Sequence, residues 1–282
     1  MKTSPSYNGP SIPTENYRNT YFLGDAISGS KQHIPDACVD LVIADPPFGI
    51  DGDRLDRHYN RDESHIIPGY VEVSSDQYPE FTARWIAEAE RVLRPGGALF
   101  LITGYTRLPE IYDALRLTDL REVNHNIWQY SFGPATTRKF VSSHYHLLYC
   151  EKPGGRRTFN LSCRYGGDDR TADGRSKRYA DTSDVWSIPR QYRPGQIRNK
   201  NQLPEALVAK MIQYGSKPGD LVCDFFLGGF TTALVAKGLN RDSTGFEINP
   251  HAYEHGVKAV QQMERGALLS ELPAGTDDLP AS

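Results

Sequence analysis

Three short strand-like runs, each closed by an acidic residue, constrain this chain more than any other feature. They are "VDLVIAD" (39–45), "LVCD" (221–224) and "STGFE" (243–247). Strand-length runs rich in β-branched residues and nearly free of polar ones are buried on both faces, as parallel strands are. The chain between them carries helical spacing. In "QYPEFTARWIAEAERVLRPGG" the residues Phe81, Trp85, Ile86, Ala89, Val92 and Leu93 share one side. In "NQLPEALVAKMIQYGSKPGD" Leu203, Leu207, Val208, Met211 and Ile212 do the same, and "TTALVAKGL" predicts a third helix. "ALFLIT" follows the first helix as a strand, which makes a strand, crossover helix, strand unit. The runs "NIWQYSF" (126–132) and "HYHLLYC" (144–150) predict a hairpin at one side of the sheet. The expected fold is α/β, a Rossmann-like doubly wound and mostly parallel sheet. Ligands in such folds sit at the carboxyl ends of the strands, where Asp45, Asp224 and Glu247 fall.

Two turns at those ends carry chemistry. After Asp224 comes "FFLGGF" and a helix, and Glu247 lies 19 residues beyond Gly228. That is close to the ~20 over which an acidic side chain reaches the ribose of a nucleoside cofactor. The turn lacks the third small residue that would let a pyrophosphate approach the backbone, since Phe230 stands there, so a cofactor without phosphates is favoured. The other turn is "ADPPFG" (44–49). Pro46 and Pro47 fix φ and donate no backbone N–H, so the turn offers acceptors and almost no donors. The Asp45 carboxylate and Pro46 carbonyl suit the N–H bonds of an exocyclic amino group, and Phe48 offers a ring face for stacking.

Charge is uneven along the chain. The formal net charge is -3, yet Arg138 to Lys200 holds 14 Lys or Arg against 6 Asp or Glu. Such a local excess of cations suits a nucleic-acid face. From Glu151 to Asn201 periodicity disappears while aromatics such as Phe159, Tyr165, Tyr179, Trp186 and Tyr192 remain, which reads as a recognition lobe or long loops outside the core. A long polar stretch, 51–77, follows the proline turn and is expected to order over DNA or cofactor. No apolar stretch approaches the roughly 20 residues of a membrane helix. Cys38, Cys150, Cys163 and Cys223 lack paired spacing, and His144 with His146 has too few neighbouring ligands for a metal, so no metal is expected.

Taken together, "ADPPFG", "DFFLGGFTT" and "GFEINP" resemble the AdoMet-dependent DNA amino-methyltransferases, which methylate exocyclic nitrogens. Catalytic motif first, recognition region next and cofactor motif last resembles the β-class order, and the likeness runs over most of 20–260. The resemblance implies that Asp45 and Pro46, with Pro47, hold the target amino group and that Phe48 stacks on a base flipped out of double-stranded DNA. It implies S-adenosyl-L-methionine as cofactor, with Asp224, Phe226, Gly228, Gly229 and Thr231 on its methionine part, Glu247 on its ribose and Asp25 lining the pocket. Arg156, Arg157, Lys177 and Arg178 are the implied phosphate contacts.

The family's Asp-Pro-Phe is here Asp224-Phe225-Phe226, its Gly-Ser-Gly is Gly228-Gly229-Phe230, and only Gln202 and Pro204 remain of its His-Pro-Thr-Gln-Lys-Pro. The implied organisation is an N-terminal arm (1–19), a catalytic half (20–150), a basic target-recognition insertion (151–201), an AdoMet-binding half (202–265) and a tail (266–282). An aspartate opening the catalytic motif favours adenine N6. Cytosine N4, a decayed non-catalytic DNA binder, and an RNA or protein amide methyltransferase stay open. A homodimer and a cognate restriction nuclease are open partner readings, and the expected setting is the cytoplasm, at the DNA of a bacterium, archaeon or phage.

Overall fold

In the computed structural model, described over residues 17–49, 73–130, 137–166, 168–190 and 202–269, the acid-terminated runs become adjacent strands of one sheet. Its strands are β1 (Tyr21–Leu23), β2 (Val39–Ala44), β3 (Leu93–Thr103), β4 (Arg121–Gln129), β5 (His144–Glu151), β6 (Val185–Ser187), β7 (Leu221–Asp224) and β8 (Asp242–Glu247), in the order β1-β8-β7-β2-β3-β5-β4-β6. From β1 to β3 all pairings are parallel. β5 runs antiparallel to both β3 and β4, and β6 pairs parallel with β4.

The helices cover both faces. On one lie α1 (Ala26–His33), α2 (Tyr78–Val92) and α3 (Leu108–Leu115), whose Ile27, Trp85, Ile86 and Ile111 pack on Val42, Leu99 and Leu101. On the other, α5 (Glu205–Gly215) and α6 (Thr231–Gly238) bring Leu207, Met211 and Val235 against Leu41, Ile43 and Phe100. α7 (Pro250–Gln262) closes the β1 side over Leu227 and Phe230. The sheet is doubly wound, as the pattern predicts, and no described helix is long and apolar enough to cross a membrane.

Two elements differ from the sequence reading. β3 begins at Leu93, ahead of "ALFLIT", because Pro95-Gly96-Gly97 stays in the ladder: Gly96 donates to the Lys152 carbonyl at 2.8 Å, and Lys152 donates to that of Gly97 at 2.9 Å. Gly96 has φ +79°, and a side chain there would meet the Arg156 carbonyl. The basic stretch after Glu151 also has parts inside the core, contrary to a wholly peripheral lobe. Trp186 and Cys163 are buried, β6 extends the sheet, and Asp181, at the end of α4 (Lys177–Asp181), anchors the segment to α5. Its carboxylate accepts from Tyr214 at 2.7 Å and pairs with Arg164 at 2.7 Å and Lys210 at 3.5 Å. Composition alone hid this, because one tryptophan and one aspartate do the anchoring. Of the polar stretch 51–77, residues 51–72 lie outside the described residues, as do most of the N-terminal arm and of the tail.

Candidate active site

Parallel strands that end together deliver their next side chains to one edge. Ile43 is level with Asp224, and Asp224 with Gly245, so Asp45 and Glu247 each stand two residues further along. A cavity of about 320 Å³ opens there, inside the size range of small-molecule sites. Asp25, Asp45, Pro46, Pro47, Phe48, Asp224, Phe226, Gly228, Gly229, Thr231 and Glu247 all line it.

The acidic groups are held by backbone amides. Glu247 accepts from Gly228 at 2.6 Å on one oxygen and from Asn249 at 2.7 Å on the other, which leaves a lone pair on each for a ligand hydroxyl. Asp224 accepts from the Phe226 N–H at 2.9 Å, and Asp25 caps α1 by accepting from Ser28 at 2.9 Å. Burial pushes the Asp45 carboxyl up to about 8, and repulsion from Asp224 adds to the rise while Arg190 opposes it. Asp224 is raised to about 6 by burial, which the Thr232 and Phe226 hydrogen bonds resist and Glu247 reinforces. Burial also raises Glu247, against its backbone donors. Desolvated carboxyls crowded in this way fit a ligand that carries positive charge.

Phe230, the residue that departs from a glycine-rich turn, lies outside the cavity lining. It adopts φ +60°, ψ +19°, the left-handed conformation that favours glycine, and caps α6. Its ring turns away into the β1 side of the core, edge-on to Tyr21 at 5.4 Å and to Tyr253 at 6.3 Å, over Gly256, where any side chain would overlap it. Burial of that ring holds the strained backbone, so the turn keeps its shape without the glycine. Gln202 completes it, donating to the Thr231 hydroxyl at 3.0 Å and lying so close over Gly229 that a Cβ there would stand 2.8 Å from its amide carbon.

Sequence reasoning passed over Arg107. It lies in the 3-10 turn Tyr105–Arg107 just past β3 and grips the far end of the proline turn. Nε donates to the Phe48 carbonyl at 3.2 Å, Nη2 to the Gly49 carbonyl and to Ser75 Oγ at 2.7 Å, and Nη1 to Glu110 at 2.9 Å. The guanidinium lies 4.9 Å from the Tyr78 ring centre. A single arginine without a motif leaves no sequence signal beyond its position after a strand end.

A second group gathers beside Phe48. Tyr145 stacks on it at 5.6 Å and also meets Trp128 and Tyr130 at 5.5 and 5.4 Å. Arg190 donates to the Tyr145 hydroxyl at 2.9 Å and lies 4.8 Å from the Tyr130 ring centre. The strand pattern placed these aromatics on β4 and β5, but only the fold brings them to Phe48.

Of the basic candidates, none lines the cavity. Arg156 and Arg157 lie at the amino end of β3, against Pro95 and Gly96, the opposite end of the sheet from Asp45. Arg157 pairs with Glu151 at 2.9 Å and lies over Tyr149. Arg178 donates to Ser162 at 3.0 Å, and Lys177 is exposed on α4. His146 sits 2.7 Å from a ring nitrogen of His125, in a hydrogen-bonded histidine pair.

A family model described as DNA methylase matches residues 39–258, from β2 into α7. The chain belongs to the DNA methylase family. The DNA adenine methyltransferase YhdJ of Escherichia coli K12 is 30% identical over 261 residues, 87% of this chain and 83% of that protein. Among solved structures, the M1.HpyAVI–SAM complex superposes with a TM-score of 0.59 at 20% identity, over 86% of this chain and 98% of that one. The cytosine-N4-specific PvuII DNA methyltransferase reaches 0.63 at 14% identity, over 88% and 87%. This DNA amino-methyltransferase is AdoMet-dependent. The group fits the cavity by charge, since AdoMet is a sulfonium and carries an ammonium, and by the free lone pairs of Glu247.

Three outcomes follow for the methylase. Phe230→Gly relieves the left-handed strain but empties the aromatic slot, a net loss of about 3 kcal/mol in urea unfolding. It leaves AdoMet affinity near wild type in calorimetry. Gly228→Val, forced to φ +51°, weakens AdoMet binding by about tenfold or more. Asp45 binds its proton more tightly folded than unfolded, so wild-type stability is lost as pH rises from about 4 toward 8 and is not regained above. Without added ligand, Asp45→Asn is therefore expected to melt several degrees above wild type at pH 8 and to match it near pH 4.

Proposed function

We propose that this methylase transfers the methyl group of AdoMet to the exocyclic N6 of an adenine flipped out of double-stranded DNA. The observation that carries the reading is Asp45, opening an Asp-Pro-Pro-Phe turn on the rim of the cavity that also holds Asp224 and Glu247. Asp45 Oδ and the Pro46 carbonyl accept the two amino N–H bonds. The nitrogen lone pair, otherwise delocalised into the ring, is then turned toward the donor. When bound, AdoMet supplies the electrophilic methyl, its C–S bond breaking as the N–C bond forms. As a carboxylate, Asp45, whose affinity for a proton is raised by burial, is placed to take the proton that the nitrogen releases.

Phe48 and Tyr145 stack on each other across the rim, and a flipped base meets the same aromatic surface. Stacking worth ~1–3 kcal/mol per base offsets part of the cost of unpairing. Asp224, Phe226, Gly228, Gly229 and Thr231 hold the methionine part of the cofactor, Glu247 its ribose, and Asp25 closes the pocket side. Arg107 fixes the Phe48 and Gly49 carbonyls and thereby the attitude of the turn. Residues 151–201 serve target recognition, with Lys177 and Arg178 among their phosphate contacts. Phosphate contacts near the pocket fall to Arg138, Lys139 and Arg190, in place of Arg156 and Arg157, whose end of the sheet is remote from the turn. A cytoplasmic site of action on chromosomal or phage DNA goes with this reading. So do a homodimer, tested by sedimentation, and a cognate nuclease, tested by protection of modified DNA from it.

The opening aspartate and the adenine-specific relative favour N6. The fold shared with a cytosine-N4 enzyme keeps N4 as the second reading. Transfer from tritiated AdoMet to unmethylated DNA, followed by nucleoside analysis, separates them: N6-methyladenine is expected, and label in N4-methylcytosine alone overturns the base assignment. Asp45→Ala is expected to lower transfer by about 100-fold or more while AdoMet still binds, and a fully active variant would refute its role. Arg107→Ala is expected to lower the turnover rate by about ten- to a hundredfold, through misplacement of the turn. Unchanged AdoMet affinity would accompany it; a change in AdoMet affinity alone would point to the cofactor side.

A further inference from the structure

The connection between β4 and β5 carries a phenylalanine that, among the described residues, packs on nothing. Phe140 is 98% exposed, and its neighbours Arg138, Lys139 and Val141 are exposed as well. Scattered exposed apolar residues are ordinary, so what decides is where this one stands. The ladder β4–β5 continues to Tyr130, which donates to the Ser143 carbonyl at 2.9 Å. Gln129 faces His144 and Thr103 faces His146, so the connection leaves the sheet on the same edge as the cavity. Phe140 lies three residues before Ser143, within about 10 Å of it along the chain. Ser143 in turn is two residues from Tyr145, the ring stacked on Phe48.

Charge names the partner. No acidic residue occurs between Gln129 and Glu151, whereas Arg138 and Lys139 immediately precede the ring. An exposed apolar side chain behind two cations, on the edge of the sheet that carries an aromatic pocket, suits a polyanion with an apolar interior. Stacked DNA has both properties: phosphates outside and base faces within. An enzyme that takes a base out of a duplex leaves a gap in the stack, and aromatic or aliphatic wedges fill such gaps elsewhere.

We infer that Phe140 is a wedge that enters the duplex as the target base leaves it, with Arg138 and Lys139 seating the flanking phosphates. The inference rests on the methyl-transfer reading above. It assigns Phe140 to opening the duplex and the cavity to chemistry, so the two are separable by experiment.

The test uses the full chain and a synthetic duplex whose methylation site has first been found by sequencing modified bases in DNA treated with the wild-type protein. Two versions of the duplex are compared, one with the target base paired and one with it opposite an abasic residue. Phe140→Ala is expected to lower methylation of the paired target by about five- to a hundredfold, the worth of one aromatic stack. On the abasic duplex it is expected to stay within about twofold of wild type, because nothing there needs opening. Phe140→Trp keeps a stacking face and retains activity on both. AdoMet affinity and melting temperature are expected to stay unchanged, since the ring has no folded-state burial to lose. Undiminished activity of Phe140→Ala on the paired target overturns the wedge, as does an equal loss on both duplexes. If the wild-type protein labels no DNA at all, the methyl-transfer reading itself fails and the wedge with it.

Discussion

Crowding of buried carboxyls along one edge of a parallel sheet is the constraint from which the rest of the site follows. Parallel strands end on the same side, so acids far apart in sequence become neighbours as soon as β2, β7 and β8 pair. Desolvation then works against each of them, and Asp45 and Asp224 also repel. Amide donors from Gly228, Asn249 and Phe226 relieve part of this for Glu247 and Asp224, and do nothing for Asp45. A fold keeps such a residue only where its instability is returned on binding, and a cationic cofactor beside a hydrogen-bond-donating amino group returns it. The feature that makes Asp45 poor for stability is the one that makes it a competent acceptor.

The proline turn creates a second demand. Two consecutive prolines stiffen the chain but remove its N–H groups, so the turn has to be held through its carbonyls. Arg107 is suited to that, since a guanidinium presents several donors in one plane. It takes the carbonyls of Phe48 and Gly49 and reaches Ser75 with the same side chain. Gly49, at φ +60°, leaves room for the Tyr78 ring on which Arg107 lies. The end of β3, the start of α2 and the proline turn are thereby one unit, and the ring of Phe48 inherits its position from a residue that never meets the cavity.

How much of this was legible in the sequence depended on whether the signal was local. The strands, the helices and the acids at strand ends were readable because periodicity and termini are local properties, and the motifs around Asp45, Asp224 and Glu247 carried the chemistry. Phe230 stands where a glycine-rich turn would have a small residue. Its slot, made by Gly256 and Tyr253 of α7 and by Tyr21 of β1, comes from two parts of the chain distant from each other, so no window of sequence contained it. Arg107 and the Tyr145–Arg190 contact were hidden for the same reason. Trp186 was grouped with the loops because a three-residue strand has too short a pattern to detect.

The basic stretch shows where composition misleads. A count of charges treats every cation as available to DNA, but an ion pair inside the protein removes one from that total. Arg157 is taken by Glu151 at the end of β5 and Arg164 by Asp181, so part of the excess goes into fixing the insertion. What bears on DNA is where the cations stand. Arg138 and Lys139 stand in the β4–β5 connection, and Arg190 stands beside Phe48 and Tyr145, all on the edge that carries Asp45. A duplex drawn to that edge by its phosphates presents its bases to the aromatic surface of Phe48 and Tyr145, so the same charges that give affinity also set which part of the DNA meets the pocket.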